Sequence, residues 1–193
     1  MAGSKASISV FSLATHAIGN KQSKVSKDSM QPQPSCEIRS AREAVEAAGA
    51  EQLGRILFEF GKFEMDVALC VVWACSGQRM DVLTGQVNNS SFGDKLDLLR
   101  QLVDQYTAPD SSAWRAYGDW LARADDMRRL RNRFAHGRWG VDPKSHEIVN
   151  VAGVPTSLHQ NEVRFTIEGL SAVIGNIKEL RASLALLREE WPL

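Results

Sequence analysis

From Leu53 to Ala74 the apolar residues recur at steps of three and four: Leu53, Ile56, Leu57, Phe60, Phe63, Val67, Val71 and Ala74. That spacing lines one side of a helix and does not suit a strand, whose sides alternate residue by residue. The same period returns three times. Leu96, Leu99, Leu102 and Val103 follow Ser91-Phe-Gly-Asp94, which has the form of a capping box. Tyr117, Trp120, Ala124, Met127, Leu130 and Phe134 follow Pro109 to Ser112, which read as a helix start, and Gly137 marks the stop. Leu170, Val173, Ile177, Leu180, Leu184 and Leu187 follow Thr166, a candidate cap, at near-heptad spacing. Ahead of these, residues 37–48 read as a short helix and Gly49 allows a break. Residues 139–154 lack the period, and Ile148 to Val151 read as one arm of a small hairpin. The expected fold is all-α, an up-and-down bundle of four main helices with a small irregular or β-hairpin insertion before the last.

A chain of 193 residues, 44% hydrophobic, suits one ordinary core. Its formal net charge of +0 hides an uneven start: Lys5, Lys21, Lys24 and Lys27 face Asp28 alone, and Gln31-Pro-Gln-Pro34 closes the segment. Residues 1–36 are therefore expected to form a disordered polar tail, and residues 37–193 the helical domain. The first arginine is Arg39, which speaks against a transit peptide. Cys36, Cys70 and Cys75 form no CxxC, and their odd number suits reduced thiols in the cytoplasm. The longest apolar run, Val67 to Cys75, is too short to span a bilayer, so no membrane partner is expected.

One helix end breaks the pattern. Residues 128–140 read RRLRNRFAHGRWG. With Met127 as zero, Trp120 lies about 20° and Phe134 about 20° either side, while Arg131 falls at about 40°, within the apolar stripe. A guanidinium there is costly to desolvate unless something satisfies it. On the first long helix Glu64 lies at about 40° from Phe60, between Leu57 and Val71. Either Glu64 and Arg131 approach each other, or both snorkel out of a wide stripe. His136 lies about 140° round the helix from Arg131, so the two do not converge on one ideal helix. A second copy of the helix across a twofold axis supplies the missing partner.

Arg131-Asn132, three residues, then His136 resembles the R-x4–6-H signature of HEPN domains (higher eukaryotes and prokaryotes nucleotide-binding), in which a polar residue commonly follows the arginine. The resemblance covers about residues 50–190, with the long first helix and the SFGDKL-type start of the second. It implies a helical, dimeric, metal-independent endoribonuclease of toxin or phage-defence type, needing no cofactor, with RNA as substrate and an antitoxin-like protein as a further partner. In that reading His136 is the general acid or base, and Arg131 stabilises the charged phosphorane-like transition state. Asn132 orients the imidazole or binds phosphate, and Glu64 holds Arg131. Arg128, Arg129, Arg133 and Arg138 contact the RNA backbone, which makes binding salt-dependent. The competing reading is a catalytically inactive HEPN-like interaction or RNA-binding module. The chain departs from the family through the insertion after Trp139 and the polar tail.

Overall fold

The computed structural model describes residues 35–154, 156 and 160–193. The expectation for the tail lies outside them, except that Ser35 and Cys36 already belong to the first helix, α1 (Ser35–Val72). A 3-10 turn (Ala74–Gly77) leads into α2 (Met80–Asn88), α3 (Phe92–Tyr106) and α4 (Ser112–His136). A small sheet follows, β1 (Arg138–Val141), β2 (Ile148–Ala152) and β3 (Asn161–Phe165), and then α5 (Ile167–Glu190). Helix dominates, as the periodicity requires. None of these helices is long and apolar enough to cross a membrane.

Three helix starts form as their caps dictate. The Ser91 hydroxyl accepts from the Asp94 N–H, and the Asp94 carboxylate accepts from the Ser91 N–H at 2.9 Å, completing the capping box. Ser111 caps α4 through the Trp114 N–H at 3.1 Å, and Thr166 caps α5 through the Gly169 N–H at 3.0 Å. Each satisfies a donor that the first helical turn leaves without an intrahelical partner.

The expected break at Gly49 does not occur. Helix α1 runs through it, and the glycine answers to a tertiary contact. A Cβ at Gly49 would stand 2.5 Å from Cδ1 of Ile148, so any larger residue there would make the Ile148 side chain of β2 shift.

The four long helices do not simply alternate in direction. Phe63 meets Phe92 with ring centroids 5.2 Å apart, and further along both helices the Cys75 thiol reaches the Tyr106 hydroxyl. Helices α1 and α3 are therefore parallel. The short helix α2, in a stretch given no element above, brings the chain back between them. Helix α4 is antiparallel to α3, since Trp114 Nε1 donates to Asp104 at 2.9 Å while Gly93 faces Arg128. Helix α5 is antiparallel to α4 in turn: the Tyr117 hydroxyl donates to the Trp191 carbonyl at 3.0 Å, and Arg123 pairs with Glu179 at 2.8 Å. One end of the bundle thus gathers Gly49, the end of α4, the sheet and the start of α5.

Between the helices lie Ile56, Phe60, Phe63 and Val67 of α1, Phe92, Leu96 and Leu99 of α3, Tyr117, Trp120 and Leu121 of α4, and Leu170, Ile177 and Leu184 of α5, all buried. Trp120 also donates its Nε1–H to the Leu180 carbonyl at 3.0 Å, so its one polar atom is satisfied inside the core. Leu57, expected inward, is half-exposed. The core seam of α1 is centred between Ile56 and Phe60, and Leu57 falls outside it.

The hairpin expected around Ile148 is the middle of a three-stranded antiparallel sheet in the order β1-β2-β3, pairing Trp139 with Asn150 and Asn150 with Val163. Its β1–β2 turn is held by Asp142. One carboxylate oxygen accepts from the Lys144 N–H at 2.7 Å, and the other from Arg164 at 2.5 Å. These bonds, the backbone one foremost, hold the carboxyl down at about 2. Because the folded value is depressed, the contribution is present above the ordinary aspartate range and is lost as pH falls through about 2. We expect the Asp142 carboxyl carbon to titrate by NMR with a midpoint of about 2. A midpoint in the ordinary aspartate range would mean that Arg164 and the turn do not hold it.

Candidate RNA-phosphate site at the end of α4

Helix α4 carries its arginines past the end of the core. Arg131 points inward as its angle requires: its guanidinium carbon lies 5.3 Å from the centroid of Phe60. That cation–π contact offsets part of its desolvation. Nη1 donates to the Asn132 side-chain oxygen at 3.2 Å. Nε is buried and makes no hydrogen bond. Arg131 and Asn132 are thus brought together, and the arginine keeps a donor in reserve.

Glu64 does not hold Arg131. It accepts from Lys95 of α3 at 2.5 Å, and no salt bridge joins it to Arg131. With the core seam of α1 centred between Ile56 and Phe60, Glu64 falls on the edge facing α3, where Lys95 sits one position past the capping box. The two side chains are only 31% and 12% exposed, so water screens the pair incompletely. A double-mutant cycle with Glu64→Gln and Lys95→Met is expected to show a coupling of about 1 kcal/mol. A cycle with Arg131 in place of Lys95 is expected to be additive. Coupling to Arg131 instead would put the carboxylate back in the site.

His136 is the last residue of α4 and is exposed, on the side of the helix opposite Met127. It makes no hydrogen bond among the described residues. Within one protomer Arg131 faces Phe60 while His136 faces away from the bundle, as the angular separation anticipates.

The remaining arginines divide into two pairs. Arg128 and Arg129 both bind Asp125, at 2.7 and 2.8 Å. Burial raises that carboxyl, but the two guanidinium bonds outweigh it and the net shift is downward. Their charge is therefore partly spent within the helix. Arg133 is half-buried with no acidic partner among the described residues, and Arg138 reaches Gln160 at 3.2 Å. These two, with His136, form the basic surface at the helix end.

Two further residues shape this end, and sequence reasoning passed over the first. Asn150 is fully buried in the middle strand, and neither of its amide atoms makes a hydrogen bond. It lies against Gly137, directly after His136, where a Cβ would stand 2.0 Å from the amide nitrogen. Gly137 has φ −80°, an ordinary value for any residue, so it ends the helix without a left-handed cap. The available signal was an asparagine at an inward position of a short strand. Trp139 fixes the junction from the other side, donating its Nε1–H to the Phe134 carbonyl at 3.0 Å and packing against Phe134 and Phe165.

Among the described residues no three His, Cys, Asp or Glu side chains gather as a metal site would require. In comparison with known proteins, the chain matches no family model, no curated protein and no solved structure.

Proposed function

We propose that this chain is a HEPN-type, metal-independent endoribonuclease of the cytoplasm, acting as a homodimer in a toxin or phage-defence role with an antitoxin-like partner. The observation that carries the reading is the end of α4 itself. Arg131 lies against Asn132 at 3.2 Å, and His136, Arg133 and Arg138 form a basic surface at the same end of the helix. Such a set suits an RNA phosphate: donors for the phosphoryl oxygens and an imidazole for the proton.

In this mechanism the 2′-oxygen attacks the adjacent phosphorus in line, and its proton passes to a base. The bond from phosphorus to the 5′-oxygen breaks, and that oxygen takes a proton. The products carry a 2′,3′-cyclic phosphate and a 5′-hydroxyl. His136 of one copy moves a proton, Arg131 of the other neutralises the phosphorane-like charge, and Asn132 holds the guanidinium. Glu64 has no part in the site, being committed to Lys95.

The test is incubation of purified protein with single-stranded RNA in EDTA. Cyclic-phosphate ends support the reading, and cutting only on addition of magnesium overturns the mechanism. The opposed facing of Arg131 and His136 within a protomer favours a second reading, a non-catalytic module. Failure to cut any of a broad RNA panel would establish it.

A further inference from the structure

Among the described residues, the buried side-chain polar atoms that make no hydrogen bond are Oε1 of Gln52, Nε of Arg131 and both amide atoms of Asn150. They sit on α1, α4 and β2, the three elements that meet at the sheet end of the bundle. Deeper in the core the polar atoms are met: the Tyr117 hydroxyl reaches the Trp191 carbonyl, and the Trp120 indole reaches the Leu180 carbonyl. A buried amide without partners gives up its bonds to water and regains none. Docking the sheet therefore carries a cost at Asn150, which lies against Gly137 at 0% exposure.

The sheet is bonded within itself rather than to the helices. Arg164 of β3 pairs with Asp142, Glu147 and Glu162, and Arg138 of β1 reaches Gln160. Among the described residues no ion pair joins the sheet or its β1–β2 turn to a helix. What crosses is mostly apolar. Phe134 meets the rings of Trp139 and Phe165 at 5.3 and 5.2 Å, and the Ile148 side chain rests at Gly49. The Trp139 indole adds its bond to the Phe134 carbonyl. One residue, Gly137, links the sheet to α4, and one, Thr166, links it to α5.

We infer that β1, β2 and β3 form a flap that undocks from the bundle as one unit, hinged at Gly137 and Thr166, with the Asn150 carboxamide as the group that water draws out. Docked, the strands hold the end of α4 at Gly137. Undocked, Asn150 is hydrated and Phe134 loses the rings of Trp139 and Phe165. Elements that open well below the free energy of global unfolding are those with few ties to the rest, and hinges are residues at element ends. Because Gly137 follows His136, docking sets where the imidazole stands, so the flap switches the site at the end of α4. That consequence rests on the ribonuclease reading; the motion itself does not.

The test is native-state hydrogen exchange of the full chain, followed by NMR with no activity assay. The ladder amides of all three strands are expected to exchange through one common opening, with protection on the order of a hundredfold below that of the Phe63 and Val67 amides of α1. Asn150→Val removes both orphan atoms and is expected to slow that opening about tenfold on all three strands. Gly137→Ala lies outside the sheet and is expected to hasten it on the order of tenfold or more, by pressing on the carboxamide. Wild type and Gly137→Ala decide the matter if Asn150→Val does not fold. Sheet amides as protected as those of Phe63 and Val67 overturn the inference. So does a response confined to β2, which would be a local strand effect, or an opening that either substitution leaves unmoved or shifts the opposite way.

Discussion

His136→Ala is expected to reduce RNA cleavage about 10²–10⁴-fold while leaving the melting temperature unchanged. The side chain is exposed and bonds to nothing among the described residues, so its removal takes nothing from the core. Arg131 is the contrasting case. Its guanidinium lies over Phe60, and Arg131→Ala would remove the half-buried stem together with the charge. Arg131→Met keeps the stem and removes only the cation. It is expected to lower cleavage about 10²–10³-fold with a stability change within about 1 kcal/mol, since the orphaned Nε–H disappears with the charge. Mixed dimers sharpen the result. Two singly inactive chains, one with each change, regenerate one intact composite site per dimer if the groups act across copies. Recovery of activity on mixing is the expected outcome, and its absence would place both groups within one protomer or outside the chemistry.

The second large effect concerns Gly137→Ala, expected to cost about 2 kcal/mol and to lower the melting temperature by several degrees. The backbone angle is permissive, so the cost lies entirely in the Asn150 carboxamide occupying the space a methyl would need. Asn150 is buried on every side and has nowhere to retreat. Adding Asn150→Ala to Gly137→Ala is expected to recover a substantial part of the loss. It frees the space and removes two buried polar atoms that bond to nothing. Strict additivity of the two changes, read by denaturant unfolding, would refute the contact. Because Gly137 follows His136 directly, the sheet fixes where α4 ends and so where the imidazole begins.

What was legible in the chain was what neighbours in sequence decide. Ser91 with Asp94, Ser111 and Thr166 are caps whose bonds close within one turn, and all three form. The inward aim of Arg131 follows from counting residues on one helix. The misreadings lie where a distant segment decides. Gly49 has the signature of a break, but its hydrogen admits Ile148, about a hundred residues away. Leu57 fits a three-and-four pattern as well as Ile56 does, because α1 is apolar on both sides and only its neighbours select the inner one. Glu64 meets a lysine of α3 rather than the arginine of α4, a choice that helical period cannot express. The run from Asn161 to Phe165 alternates as a strand should, but five residues with charges at two positions are a faint signal beside a 38-residue helix.

The contact between Asn150 and Gly137 couples the small sheet to the last turn of α4. Bulk added at either position has no space to enter without moving the other element, so the sheet works as a spacer that sets the reach of every side chain beyond Phe134.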